Sequence, residues 1–367
     1  MKLFEESKIG MLSLKNRLWR SATWLGMANK DGYVTDAVKK QYKKLAEGGV
    51  GSIIVEFTNI LEEEKTYPGI LSISSDSHIE GLKELADIIH SNNTHAFIQV
   101  GYGGSTTSIP ENGRVILGPS AVKNPGSGIT PVEMTEKDIE KIIEAMAQAA
   151  LRAKKAGFDG VQIHAAHGYL YSQFLSPYFN RRMDKYGGSI KNRGRIFIET
   201  LKRMKTTAGS DFPVFIKMHS DDEWAENGLS AEDSLWIAKE LEKHGIDGIE
   251  FSGGNIDPQS GNGASKPKLH KVEKQSYFKD QVSKIAAHLH VPVILVGGNR
   301  NVKLMEDILN HSNIRYFALS RTLHAEPDLP AKWLTSPEHK PRCVSCNNCW
   351  AEGGNICIID RKKEKQI

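Results

Sequence analysis

The chain has 367 residues, of which 39% are apolar and 25% are charged, and its formal net charge is +4. This composition excludes a disordered or fibrous chain and gives no sign of nucleic-acid binding. The sequence has neither an apolar run long enough to span a membrane nor the pattern of a signal peptide. We therefore expect a cytoplasmic protein with no nucleic-acid or membrane partner.

Short runs rich in Val, Ile and Phe recur along the chain, and such runs are typical of buried parallel strands. They cover residues 16–22, 49–57, 95–101, 158–166, 213–219, 246–254, 292–298 and 314–321. Segments with helical character separate them. Two examples are 135–157, which begins with Thr135 as a predicted N-cap, and 230–245, which begins with Ser230.

Eight alternating strand and helix units predict an α/β fold of the (β/α)8 TIM barrel type over residues 1–335. Residues 336–367 then form a short C-terminal cysteine-containing extension. A doubly wound open sheet is the alternative. It usually requires a glycine-rich first turn, and no GxGxxG follows the first run.

Two histidines and a tyrosine follow the fourth predicted strand, where a barrel has its chemistry. His164 and His167 could be metal ligands of a barrel hydrolase together with Asp221 or Asp222, or they could satisfy loop backbone groups. They could also donate hydrogen bonds to a substrate carbonyl oxygen while Tyr169 supplies a proton. That third arrangement suits the reduction of an activated C=C bond, which requires a nicotinamide or flavin as hydride source.

The last two predicted strands end in residues suited to phosphate. Gly297 and Gly298 follow the seventh strand, and Ser320 and Arg321 follow the eighth. Barrels often bind phosphate in these two loops, where glycines permit close backbone approach and arginine grips the anion. The sequence therefore predicts a phosphate site at this end of the barrel.

Two further polar residues lie at strand ends. The amide of Gln99 can both donate and accept, which suits the pyrimidine edge of a flavin, although it could equally be a satisfied buried amide. Lys217 could lie beside N1 and O2 of a flavin. The alternative for Lys217 is a structural ion pair with Glu250.

The segments "LKNRLWRSAT" (14–23) and "HAAHGYLYSQFLSPYFNRRMDKYGGSIKNRGRIFIE" (164–199) resemble the old yellow enzyme family of flavin-dependent ene-reductases. The resemblance covers about residues 1–335. It implies a (β/α)8 barrel that holds FMN noncovalently and reduces α,β-unsaturated carbonyl compounds with NAD(P)H. A small enal or enone is the expected substrate, and a homo-oligomer is compatible with the sequence.

The resemblance also implies roles for individual residues. Hydride would come from FMN N5 and the proton from Tyr169, with the substrate oxygen held by His164 and His167. The implied cofactor-binding residues are Ala22, Thr23, Gln99, His164, Lys217, Gly297, Gly298, Ser320 and Arg321. Trp24 would share the substrate pocket with His164, His167 and Tyr169. Trp24 stands where members usually carry Thr or Cys, Lys217 where arginine is usual, and Ser320 where glycine is common.

All four cysteines lie close together near the C-terminus, in the pattern C-x2-C-x2-C-x7-C. They are Cys343, Cys346, Cys349 and Cys357. The pattern resembles that of the 2,4-dienoyl-CoA reductase and enoate reductase subgroup, whose cysteines bind a 4Fe–4S cluster, although the spacing from the second to the third is shorter. Four thiolates can hold a 4Fe–4S cluster or one zinc ion, and free thiols are a third alternative. An FMN-binding or electron-transfer protein that acts with a partner through this tail is an alternative function.

Overall fold

The computed structural model describes residues 1–108, 113–222, 227–254, 263–350 and 353–364. Residues 351, 352 and 365–367 of the predicted extension therefore lie outside the described residues. The strands within the described part are β1 (Ser7–Ile9), β2 (Leu12–Leu14), β3 (Leu18–Arg20), β4 (Ser52–Asn59), β5 (Leu71–Ser72), β6 (His95–Gly101), β7 (Leu117–Gly118), β8 (Val132–Glu133), β9 (Gly160–Ala165), β10 (Val214–His219), β11 (Gly248–Ser252), β12 (Val293–Leu295) and β13 (Ile314–Leu319).

The α-helices lie mostly between these strands. They are α1 (Asp36–Glu47), α2 (Ile79–His90), α3 (Glu136–Lys155), α4 (Leu170–Leu175), α5 (Ile190–Arg193), α6 (Arg195–Ala208), α7 (Ala231–Lys243), α8 (Lys279–Ala286), α9 (Val302–His311), α10 (Arg321–Ala325), α11 (Leu329–Thr335) and α12 (Ile358–Glu364). Within the described residues, no helix is both long and apolar enough to cross a membrane.

The sheet closes on itself. Parallel pairing runs from β3 through β13, β12, β11, β10, β9, β6 and β4, and β4 pairs back with β3. Each of these eight strands matches one of the predicted apolar runs, because a strand covered on both faces must be apolar almost throughout. The prediction of a (β/α)8 TIM barrel is confirmed. The division into a barrel and a separate extension stays a prediction.

Two predicted helices begin where their N-cap residues indicate. The Thr135 hydroxyl accepts from the backbone N–H of Asp138, whose carboxylate accepts from the backbone of Thr135, so both form a capping box at the start of α3. The Ser230 side chain accepts from Asp233 N at the start of α7. These caps satisfy N–H groups that would otherwise lack partners at the helix ends.

An aromatic layer fills the N-terminal end of the barrel. The Trp19 ring lies 4.9 Å from Phe97, 5.6 Å from Phe215 and 5.9 Å from Tyr316, measured between centroids. The hairpin of β1 and β2 adds apolar side chains to the same cluster. This end of the barrel is therefore packed shut, and the open volume lies toward the carboxyl ends of the strands.

A polar layer lies above the aromatic one. Gln99 Nε2 donates to Gln162 Oε1 at 2.7 Å, and Gln162 Nε2 donates to Glu250 Oε2 at 2.8 Å. Ser21 Oγ donates to Glu250 Oε1 at 2.7 Å and accepts from Lys217 Nζ at 2.8 Å. Lys217 Nζ also lies 3.2 Å from Glu250 Oε1, so the ion pair between them is formed. These partners satisfy a carboxylate that would be costly to bury alone.

Replacing Lys217 by Met leaves the fully buried Glu250 carboxylate without its cation. We expect the free energy of unfolding to fall by about 3–5 kcal/mol. The double variant Lys217→Met/Glu250→Gln contains no buried charge at this position and should recover at least half of that loss. Denaturant unfolding followed by circular dichroism measures both changes.

The matched control is Lys185→Met, which breaks the exposed pair of Lys185 with Glu136. Its free energy of unfolding should change by less than about 1 kcal/mol. A double variant no more stable than Lys217→Met would contradict the importance of this ion pair.

Candidate active site

A cavity of about 760 Å³ opens at the carboxyl ends of the barrel strands. The structure brings every predicted cofactor and substrate residue to its wall. They are Ala22, Thr23, Trp24, Gln99, His164, His167, Tyr169, Lys217, Gly297, Gly298, Ser320 and Arg321. Two of the four cysteines, Cys343 and Cys349, also line this cavity. The individual roles assigned to these residues stay predictions.

The two histidines meet at right angles. Their ring centroids lie 5.2 Å apart with an interplanar angle of 88°. His164 Nδ1 accepts from Ala166 N at 3.3 Å, so the proton of the neutral ring is on Nε2. His167 Nε2 lies 2.8 Å from Ser252 Oγ. Burial, followed by the nearby charge of Lys217, lowers the pKa of both rings well below the usual value, so both are neutral at pH 7.

The backbone of His167 is held by His219, a residue that was not predicted from the sequence. His167 N donates to His219 Nε2 at 2.6 Å, and His219 Nδ1 lies 2.6 Å from Asp222 Oδ1. Asp222 thus faces His219 rather than the histidine pair. Within the part of the chain that the structure describes, no group of three or more His, Cys, Asp or Glu side chains is arranged to hold a metal ion. Among the described residues, His164, His167 and Asp222 are therefore not arranged as the ligand set predicted for a metal-dependent hydrolase.

Tyr169 lies against the histidine pair and keeps its proton. Its ring centroid is 4.6 Å from that of His164, and its ring stacks on Phe57 at 5.0 Å with an interplanar angle of 12°. Tyr169 OH donates to Tyr67 OH at 3.1 Å. Burial, then the Tyr67 hydroxyl, raises the pKa of Tyr169 well above its usual value. A Cβ on Gly101 would lie 2.3 Å from the Phe57 ring, so glycine leaves the room that this stack needs.

Trp24 joins the cavity to the C-terminal extension. Its ring centroid lies 4.8 Å from that of Tyr67, in a tilted contact, and 5.9 Å from that of Trp350, in a stacked one. Asn355 Nδ2 donates to the Trp24 carbonyl oxygen at 3.1 Å, and Asn355 N donates to Leu25 O at 2.6 Å. The extension therefore forms one wall of the cavity. Trp24 is a predicted pocket residue, whereas Tyr67, Trp350 and Asn355 were not predicted from the sequence.

The predicted phosphate loops lie together on another wall. Thr23 Oγ1 is 2.9 Å from Ser320 Oγ. Arg321 Nη1 donates to the backbone oxygen of Lys266 at 3.0 Å and to the side-chain oxygen of Asn347. Gly298 has a φ of +74°, and a Cβ there would lie 2.8 Å from the Tyr277 ring. Glycine is thus required at this position by backbone conformation and by packing.

The four cysteines surround a second, much smaller cavity beside Arg321. All four are free of disulfides. Burial, with the neighbouring thiols of Cys343, Cys357 and Cys346, raises the pKa of Cys349 to about 11. The sequence prediction that these residues lie together agrees with this arrangement, but their predicted metal or cluster is not confirmed.

Comparison with known proteins identifies the family. The NADH:flavin oxidoreductase / NADH oxidase family matches residues 2–336. An NADH oxidase from Thermoanaerobacter brockii is 35% identical over 348 residues, which is 94% of this chain and 52% of that protein. The chain thus spans about half the length of this relative.

Two solved structures share the fold. A 2-naphthoyl-CoA reductase in complex with 2-naphthoyl-CoA has a TM-score of 0.87 and 29% identity, over 95% of this chain and 54% of that one. An old yellow enzyme homologue from Zymomonas mobilis has a TM-score of 0.77 and 25% identity, over 93% and 94% of the two chains. The resemblance of the cysteine segment to one subgroup stays a prediction. Together with the family match, these similarities confirm the resemblance of the barrel: the chain belongs to the NADH:flavin oxidoreductase / NADH oxidase family.

Proposed function

We propose that the chain is an FMN-dependent ene-reductase that uses NAD(P)H to reduce activated C=C bonds of α,β-unsaturated carbonyl compounds. One observation carries this proposal: the imidazoles of His164 and His167 and the phenol of Tyr169 meet in one cavity. Neutral imidazoles can donate to a carbonyl oxygen, and a phenol with a raised pKa keeps its proton until a strong base forms nearby.

The residues of the cavity fit FMN. Its volume of about 760 Å³ lies within the range of cofactor sites. Gln99 and Lys217 offer an amide and a cation at the barrel centre for the polar edge of a flavin. Gly298 and Arg321 provide close backbone approach and positive charge for the phosphate. FMN, when bound, supplies the hydride.

The chain's own residues would perform the remaining steps. His164 would donate from Nε2 to the substrate carbonyl oxygen, and His167 would complete the clamp on that oxygen. Negative charge that develops on the oxygen would be stabilised by these preorganised donors. Tyr169 would then transfer its hydroxyl proton to the substrate carbon, while Phe57 keeps its ring in place. A thioester substrate presents the same conjugated carbonyl, and 2-naphthoyl-CoA is bound by a structural neighbour.

The Tyr169→Phe variant tests the proton step. We expect the reduction of bound flavin by NAD(P)H to stay near the wild-type rate, because no proton from Tyr169 is used there. Oxidation of the reduced flavin by an enone should slow by about 10²- to 10⁴-fold, because general-acid catalysis is lost. Stopped-flow absorbance at the flavin band measures each half-reaction.

Tyr171→Phe is the matched control. Tyr171 is buried and its hydroxyl lies 2.7 Å from Thr200 Oγ1, in a contact made within the helices. Both half-reactions should stay near wild type in this variant. An equal fall of both half-reactions in Tyr169→Phe would refute the assignment of Tyr169 as proton donor.

We also propose that the four cysteines hold a 4Fe–4S cluster rather than zinc. All four thiols are free of disulfides and line one small cavity. A C-x2-C-x2-C run with a fourth cysteine farther along the chain is a ligand set that suits a 4Fe–4S cluster. A partner that exchanges electrons through this tail is the second candidate function, and the exposed Trp350 beside Cys349 favours it.

Anaerobic purification followed by iron and acid-labile sulfide analysis tests the cluster. We expect about four of each per chain in the wild type and in Val344→Ser, an exposed position within the motif. Cys346→Ser should lose most of both, because one of the four thiolate ligands is gone. Stoichiometric zinc without sulfide would contradict the proposal.

A further inference from the structure

His167 has an unusual backbone conformation for a residue of its type. Its φ is +60°, and Gly168, which follows, has a φ of +79°. The left-handed region disfavours residues with a Cβ, so the surrounding structure must hold His167 there. The direction of the His167 ring, and hence its meeting with His164, depends on this conformation.

His219 provides the hold on the backbone. His219 lies at the end of β10, has no exposed surface and accepts the His167 N–H at 2.6 Å through Nε2. A ring nitrogen accepts only when it carries no proton, so the proton of the neutral ring must be on Nδ1. Asp222 Oδ1 lies 2.6 Å from that Nδ1 and accepts a hydrogen bond from it. Asp222 therefore selects the His219 tautomer that can bind His167.

The carboxylate of Asp222 also accepts a second hydrogen bond. Its Oδ2 accepts from Leu229 N at 2.9 Å. The same segment also supports the His167 ring indirectly, because Ser220 N donates to Ser252 O at 2.8 Å, and Ser252 Oγ lies 2.8 Å from His167 Nε2. Residues 219–222 thus support His167 at its backbone and at its ring.

We propose that Asp222 and His219 are positioning residues for the substrate-oxygen clamp. Asp222 fixes the tautomer of His219, and His219 fixes the backbone of His167, so that the His167 ring meets His164 at the substrate oxygen. Neither of them lines the cavity. The catalytic role of these two residues rests on the proposed function. The hydrogen bond by which His219 fixes the His167 backbone does not depend on it.

The effects of substitutions at Asp222 and His219 should not be additive. In Asp222→Asn, the single amide oxygen can accept a hydrogen bond from Leu229 N or from His219 Nδ1, but not from both. If the amide oxygen accepts from Leu229 N, the amide N–H₂ faces His219 Nδ1, which must then carry no proton. The ring proton moves to Nε2, where it faces the His167 N–H, and the hydrogen bond to His167 is lost. In His219→Gln, the side-chain oxygen can accept from His167 N whatever stands at position 222. Asp222→Asn should therefore have a large effect alone and a small one in the His219→Gln background.

Binding of 4-hydroxybenzaldehyde to the FMN-loaded chain gives the first readout, since its phenolate oxygen should lie at the histidine pair. We expect its Kd to rise about 10- to 100-fold in Asp222→Asn, because the clamp loses its preorganisation. The Kd of His219→Gln should remain within about threefold of the wild-type value, and the double variant should have the same Kd as His219→Gln. The affinity for FMN should stay unchanged in all three. Asp211→Asn, at an exposed aspartate paired with Lys154, is the matched control and should bind as the wild type does.

Hydrogen exchange of the chain without added cofactor gives the second readout. The His167 amide should exchange faster in Asp222→Asn than in wild type or Asp211→Asn, while the amides of β9 stay protected. Equal phenol affinity and equal His167 exchange in Asp222→Asn and wild type would overturn the proposal. If the wild type binds neither FMN nor phenol, the proposed function fails, and the exchange comparison still decides whether Asp222 and His219 position His167.

Discussion

The ion pair of Lys217 with Glu250 in the barrel centre is the interaction on which the rest of the site depends. It joins β10 to β11 at 3.2 Å and receives support from Ser21 on one side and Gln162 on the other. Lys217 pairs with His164 in the register of β10 and β9, and its charge adds to the effect of burial, which lowers the pKa of both rings. Burial of the rings, with a smaller contribution from this cation, favours the neutral forms of His164 and His167.

Above this layer, hydrogen bonds and aromatic contacts hold different side chains of the site. Hydrogen bonds hold the histidines in fixed directions, as the proposed clamp on one substrate oxygen would require. Aromatic stacking holds Tyr169 against Phe57 and links Tyr67 to Trp24 and Trp350. Since Trp350 follows Cys349 directly, the cysteine segment and the cavity share a wall. Cys343 and Cys349 themselves form part of this wall.

The sequence predicted the features that have a local pattern. Buried parallel strands must be apolar almost throughout, so the eight barrel strands were visible as runs, and the order of those runs placed His164, Lys217 and Arg321 at one end. The helix caps at Thr135 and Ser230 were visible for a similar reason, because capping depends on residues only three apart.

Features that depend on contacts between distant segments were not visible. Tyr67 lies in the loop after the second barrel strand, and nothing in its local sequence indicates that it meets Tyr169. Trp350 and Asn355 reach the cavity only because the extension folds back over Trp24. Asp222 was considered a metal ligand, whereas the structure turns it toward His219. The position of Tyr67 in a loop at the carboxyl end of a strand was the one available signal.

The most direct test of the account is an absorbance titration of the purified full chain with FMN, followed by anaerobic addition of NADH or NADPH and then an enone. We predict one FMN bound per chain, loss of the flavin band on addition of the reduced nicotinamide, and its return with the enone. A chain that binds no FMN, or a reduced chain that the enone does not reoxidise, would contradict the assignment of the cavity to flavin-dependent ene-reduction.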